Sequence, residues 1–141
     1  MKAESQRTLV EIAPYMFRYD GWNNLQKSLM GFGLEVGDGW YKILEELITK
    51  IAELDKEKRV KVVQVKEKFG GLRFYINSGT DEIFNVIDEA EAKSLITCEQ
   101  CGKVGSIDVT HGWMLTLCED CKKIRDKEYK EYDDMIPEDC K

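Results

Sequence analysis

Histidine is nearly missing from this 141-residue chain: His111 stands alone. A nucleophile–His–acid triad would have to use it, and no Gly-x-Ser-x-Gly elbow is present to build one around. Zinc-deaminase chemistry needs a His-x-Glu with a Pro-Cys-x-x-Cys, and the chain has neither. Phosphate-cradling loops are missing as well. Gly31-Phe32-Gly33 and Gly37-Asp38-Gly39 are too short for a dinucleotide fingerprint and lack its strand–turn–helix setting. Carboxylates such as Glu35 and Asp38 are left for acid–base work, and among 27 acidic residues no pair stands out. The expectation is a protein that is not an enzyme, with His111 a loop residue beside Trp113.

Other absences narrow the class further. Proline occurs only at Pro14 and Pro137, and no repeat, low-complexity tract or linker interrupts the chain. No apolar run approaches the roughly 18 residues that would span a bilayer. The opening Met1-Lys2-Ala3-Glu4-Ser5-Gln6-Arg7 is polar, which predicts no secretory signal and a cytoplasmic location. Positive charge is in deficit: 21 Lys and Arg against 27 Asp and Glu give a net charge of -6, which argues against a nucleic-acid binder held by clustered cations. Hydrophobic residues make up 43%, enough for one packed domain and too many for a disordered chain.

What is present reads as an α+β fold: a small antiparallel sheet packed by helices, with a C-terminal zinc-ribbon subdomain. A first helix is expected from Thr8 to about Tyr19, with Pro14 set awkwardly inside it. The aromatic and glycine-rich stretch from 20 to 39 is expected to be irregular. Leu25, Leu29 and Met30 suggest a short helix there, and the alternating Phe32, Leu34 and Val36 a third strand. Asp38 is placed to cap a long helix in which Trp40, Ile43, Leu44, Leu47, Ile48, Ile51 and Leu54 recur at three-to-four spacing. Valines at 60, 62, 63 and 65 mark a strand, Gly70-Gly71 a turn, and Leu72 to Ile76 its hairpin partner. A helix over about 81–95, capped by Ser78 or Thr80, follows. Residues 1–96 are read as the core domain, 97–122 as the ribbon, and 123–141 as a polar helix and tail with Ile124 and Tyr132 as sparse anchors.

Five cysteines, an odd number, suit a disulfide framework poorly. Four form Cys98-Glu99-Gln100-Cys101 and Cys118-Glu119-Asp120-Cys121, a C-x2-C-x16-C-x2-C pattern. Two thiolates three positions apart wrap one side of a tetrahedral ion, and a second pair closes the other. Gly102 stands where such a knuckle needs positive φ. Cys98, Cys101, Cys118 and Cys121 are thus expected to hold a structural Zn²⁺, with rubredoxin-type iron the chemical alternative. Four thiolates leave no open coordination position, so the ion would hold structure and not perform catalysis. Cys140 has no partner at ligand spacing and reads as a free thiol.

Most of the aromatics, among them Trp22, Phe32, Tyr41 and Phe69, are expected to fill the core. The exception follows from strand alternation, which puts Arg73 and Tyr75 on the face opposite Leu72, Phe74 and Ile76. Lys66 and Lys68 lie across the turn. With Trp40 nearby, these residues make a cationic and aromatic candidate platform for an anion or nucleotide, since Arg offers a fork to phosphate and Tyr a ring to a base.

The segments Gly33-Leu34-Glu35-Val36-Gly37-Asp38-Gly39-Trp40-Tyr41, Val65-Lys66-Glu67-Lys68-Phe69-Gly70-Gly71-Leu72-Arg73-Phe74-Tyr75, Cys98-Glu99-Gln100-Cys101-Gly102 and Gly112-Trp113 through Leu117-Cys118 resemble a family of small phage and prophage proteins. The resemblance runs from about residue 30 to 121. It carries over no site residue, but it implies a context in which small acidic proteins counter host defence. Two expectations follow: an oligomeric protein that sequesters a nucleotide immune signal through Lys66, Lys68, Arg73 and Tyr75, or an acidic module that blocks a basic host defence protein. A zinc ribbon that touches nucleic acid is a third and weaker one.

Overall fold

The computed structural model describes residues 1–140, which form an α+β fold of five helices and two small sheets. Helix α1 covers Ala3–Ile12 and the single turn α2 covers Pro14–Phe17. The expected continuous first helix is therefore two. Proline has no N–H and its ring collides with the carbonyl four residues back, so the chain breaks at Ala13 and Pro14 becomes the first residue of α2. Both pieces still face inward: Leu9, Met16 and Phe17 are fully buried. The expected short helix around Leu25 and Leu29 is absent. Both leucines are exposed, and only Met30 enters the core, from a single 3-10 turn.

Helix α3, Tyr41–Leu54, carries the periodicity read from the sequence, with Ile43, Leu44, Leu47, Ile48 and Ile51 buried along one face. Its start differs from the expectation. A 3-10 turn over Asp38–Trp40 leads into it with no side-chain cap, and the Asp38 carboxylate instead accepts the Lys2 N–H at 3.0 Å.

Strands β2 (Val62–Lys68) and β3 (Gly71–Ile76) form the hairpin, with Val65 opposite Phe74 and Lys66 opposite Arg73. Phe69 and Gly70 make the two-residue turn, with φ of 53° and 82°. Positive φ at both positions is what a turn needs to match the twist of its strands. The third strand is β1, Leu34–Glu35, and it pairs parallel to β2, so the sheet is mixed. Val62, Val65, Leu72 and Phe74 turn inward against α1, α3 and helix α4, Asp81–Ser94. Thr80 caps α4 by accepting the Ile83 N–H. The open edge of β3 is closed by α4: the Leu72 N–H donates to Ser94 Oγ at 2.8 Å and the Phe74 N–H to Glu91 Oε2 at 3.0 Å.

The remaining sheet is the hairpin of β4 (Ser106–Asp108) and β5 (Leu115–Leu117), followed directly by α5, Glu119–Met135. This helix starts inside the second cysteine pair. Ile124 and Tyr132 do not anchor it; they are 57% and 65% exposed. Arg125 does, through a buried ion pair to Asp108 at 3.1 Å and a hydrogen bond to the Trp113 carbonyl at 2.7 Å. Among the described residues no helix is long and apolar enough to cross a membrane.

Candidate metal centre and the open sheet face

Two local structures bring the cysteines together. The first knuckle turns at Gly102, whose φ is 83° and whose N–H closes back onto the Cys98 carbonyl at 2.9 Å. The second is the first turn of α5, where Cys118 is the N-cap and its sulfur accepts the Cys121 N–H. As a result the four sulfurs of Cys98, Cys101, Cys118 and Cys121 all lie within 4.8 Å of one another. Cys101 Sγ and Cys118 Sγ are 3.5 Å apart, and all four thiols are free. A tetrahedral ion with metal–sulfur bonds of about 2.3 Å requires sulfurs about 3.8 Å apart, so the cluster suits a metal of that geometry. Burial is graded: Cys98 and Cys118 are inside, Cys121 is half-buried and Cys101 is exposed. Burial works to raise the Cys98 thiol, but the backbone N–H groups of Cys118, Cys101 and Gln100 outweigh it and bring it down to about 7. Burial and the contacts with Cys118, Cys98 and Cys101 push the Cys121 thiol the other way, up.

The knuckle is also seated in the rest of the protein. Glu99 carries its side chain inward, where Oε2 accepts the Gly37 N–H at 2.9 Å, and its carbonyl accepts the Gly39 N–H at 2.7 Å. Burial of Glu99 raises its carboxyl, Glu67 nearby pushes the same way, and the Gly37 N–H opposes them. A Cβ on Gly39 would fall 2.1 Å from the Cys98 carbonyl oxygen, and one on Gly37 2.3 Å from that of Glu99. The Gly-Asp-Gly segment, conspicuous in the sequence, is thus the surface on which the first knuckle rests. On the other side, Glu99 donates its N–H to the Thr116 carbonyl, and Thr116 Oγ1 donates to the Gly70 carbonyl at 2.6 Å. The ribbon is wedged between the turn before α3 and the turn of the β2–β3 hairpin.

The proposed ligand residues separate in space. Lys66 and Arg73 are direct cross-strand partners on the outward face of the sheet, with Tyr75 beside them and 40% exposed. Arg73 folds back, its Nη1 on the Leu72 carbonyl, and Gly71 leaves room for the guanidinium. Lys68 is exposed near the turn, with its Nζ 5.5 Å from the Phe69 ring centroid. Trp40 has to be corrected. It is fully buried, with its indole N–H on the Thr97 carbonyl at 2.9 Å, so it fastens the core to the residue before Cys98 and offers no surface to a ligand. Phe69 and Trp113 were not among the expected ligand residues, although they are 64% and 65% exposed. Phe69 next to two glycines was the available signal, since a bulky ring in a tight turn has nowhere to point but outward. His111 stacks on Tyr129 at 3.9 Å and contacts Asp126 at 2.6 Å. No protein-family model, curated protein or solved structure matches the chain.

Proposed function

We propose that the chain is a non-enzymatic binding protein that sequesters a small nucleotide-type anion, with a structural Zn²⁺ in the four-cysteine site. One observation carries the reading: Lys66 and Arg73 stand side by side and half-buried on the outward sheet face, flanked by Lys68 and Tyr75, in a protein of net charge -6. Like charges opposite one another on a sheet are unfavourable, and although Glu91 lies within electrostatic reach of Arg73, an anion bound between the pair would relieve the repulsion. Thiolate ligands and a tetrahedral arrangement favour zinc over harder divalent ions. The resemblance to small phage and prophage proteins supports a ligand among the nucleotide signals of host defence, bound in the host cytoplasm by an oligomer.

Native mass spectrometry after incubation with a bacterial nucleotide extract tests this. One zinc per chain plus an adduct of nucleotide mass, lost in Arg73→Ala, is the expected result. Zinc without any adduct would favour a second reading, an acidic module that occupies a basic host protein. That reading has its own support: residues 126–140 hold seven acidic and two basic side chains, and all but Ile136 are exposed. It predicts salt-sensitive protein binding that is indifferent to Arg73.

A further inference from the structure

Strand alternation puts Lys66 and Lys68 on one side of β2 and Glu67 on the other. Strand β1 reaches only to the level of Lys66, so the end of β2 has an uncovered edge. The tip of the β4–β5 hairpin comes up against it. Together they enclose a groove of about 330 Å³, lined by Lys66, Glu67, Lys68, Phe69, Trp113 and Met114. Its chemistry is divided. Neither lysine forms an ion pair among the described residues, and they supply the cationic side. The two exposed rings supply flat apolar walls. Glu67 supplies an acceptor: Oε2 is taken by the Gly70 N–H at 2.8 Å, while Oε1 has only a long 3.4 Å contact to the Trp113 indole N–H.

We infer that this groove binds a nucleoside monophosphate with an amino-bearing base. The ring lies on the Trp113 indole, the exocyclic amine donates to Glu67 Oε1, and the phosphate meets Lys66 and Lys68. Anion at one end and N–H donor at the other is the charge pattern selected by two lysines on one side of the strand end and a carboxylate on the other. The volume is at the small end for ligand pockets, which suits one base and its sugar and excludes a dinucleotide. Trp113 and Met114 come from the hairpin tip, so binding also requires the folded ribbon. The inference rests on the reading above in one respect, that the ligand is a nucleotide, and moves the centre of the site from Arg73 to the groove.

The probes are CMP and UMP, which differ in an amine against a carbonyl at one ring position, titrated into zinc-loaded protein. Binding is followed by calorimetry and by tryptophan emission, with Trp113→Phe as the spectral reference. We expect CMP to change the Trp113 emission at one per chain and to bind about tenfold more tightly than UMP. The double variant Lys66→Ala/Lys68→Ala, its fold checked by circular dichroism because Lys66 is half-buried, should weaken CMP by about a hundredfold, tenfold for each phosphate contact. Calorimetric binding that leaves Trp113 silent and disappears in Arg73→Ala would overturn the groove and keep the nucleotide reading. Absence of binding by either monophosphate would overturn the groove outright. The nucleotide reading would then stand or fall on the mass-spectrometric adduct.

Discussion

Glu99 reaches across sixty-two positions of sequence to take the Gly37 N–H on its carboxylate at 2.9 Å. The same residue gives its carbonyl to Gly39 and its own N–H to Thr116. Its neighbour Cys98 is one of the four clustered thiols. Through this one residue the turn that starts α3, the first cysteine knuckle and strand β5 share a frame of hydrogen bonds. A buried carboxylate with a single N–H on Oε2 is a costly group to keep, and its position makes the metal site an extension of the core.

Gly39→Ala tests that frame. The new Cβ would meet the Cys98 carbonyl at 2.1 Å, a contact with backbone that no rotamer change can relieve. The knuckle and the turn must separate, so the cost should be about 3 kcal/mol or more. Chemical denaturation should show the loss of stability, and a chelator competition should show weaker metal retention. A variant that unfolds early yet holds its metal as tightly as the parent would contradict the coupling.

Arg125 and Asp108 are a second joint, between α5 and β4. Removing the guanidinium in Arg125→Ala leaves Asp108 buried without its counter-ion, which should cost roughly 3–5 kcal/mol. The double variant with Asp108→Asn should recover part of that, because no uncompensated charge remains. The pH dependence has a definite sign. Hydrogen bonds from the Thr110 hydroxyl and N–H, together with Arg125, hold the Asp108 carboxyl below the usual carboxylate range against the effect of burial. A depressed folded-state value means that the stabilisation is complete above the unfolded value of about 3.9 and is lost as pH falls through the folded one. The stability gap between wild type and Asp108→Asn should therefore be flat at neutral pH and shrink in acid. Urea midpoints of both proteins along a pH series measure it.

Tyr15 and Asp55 join α2 to the end of α3. The phenol donates to Asp55 Oδ2 at 2.7 Å, and the same carboxylate accepts the N–H groups of Arg59 and Val60. Burial and then Asp55 raise the Tyr15 phenol. Burial works against the Asp55 carboxylate, but the Val60 N–H, the Tyr15 hydroxyl and the Arg59 N–H together lower it. Tyr15→Phe should cost about 1.5–2 kcal/mol, the worth of one hydrogen bond to a charged acceptor. Asp55→Ala should cost more, since it strands two backbone donors, one of them on the buried Val60. Thermal melts of the two variants rank them, and equal losses would mean that the phenol, not the carboxylate, organises the loop.

Much of this was legible where one local rule was enough. The periodicity of α3, the valine strand with its glycine turn and the paired cysteines each follow from spacing alone, and spacing narrows the cap of α4 to Ser78 or Thr80. So did the outward set of Lys66, Arg73 and Tyr75, because the pairing keeps a regular register from Gln64 opposite Tyr75 onward. Legibility failed where a contact distant in sequence decided the outcome. Trp40 looked available because nothing nearby in the chain shows that Thr97 will take its indole N–H. Asp38 looked like a cap until Lys2 took its carboxylate. Arg125 was passed over as the anchor of α5 because only an ion pair with Asp108, on another element, makes burying a guanidinium tolerable. The parallel pairing of β1 is likewise a consequence of packing. In each case the deciding partner sits seventeen or more residues away.

The metal prediction follows from the size of the two apolar clusters. The core joins residues from α1 through α4 and all three strands of the larger sheet, whereas the ribbon's own cluster is Cys98, Leu117 and Cys118 with Leu115 and Cys121 against it. Three of those five are cysteines of the metal site, so the ribbon has almost no apolar interior of its own. Without an ion, four thiols within 4.8 Å are crowded groups with nothing to hold them together, and two thiolates there repel. Chelation should therefore unfold β4, β5 and α5 while the helices and sheet before residue 97 persist. Far-UV circular dichroism should lose about the share of one helix of seventeen residues, the length of α5. Buried Trp40 should stay ordered and exposed Trp113 should become mobile, and readdition of Zn²⁺ should reverse both. Cys118→Ala should reproduce the chelated state, because it removes a ligand and the N-cap of α5 in one step. A chelated protein with an unchanged spectrum would mean that contacts through Glu99, Thr116 and Arg125 hold the ribbon without an ion, and the structural role of the metal would fall.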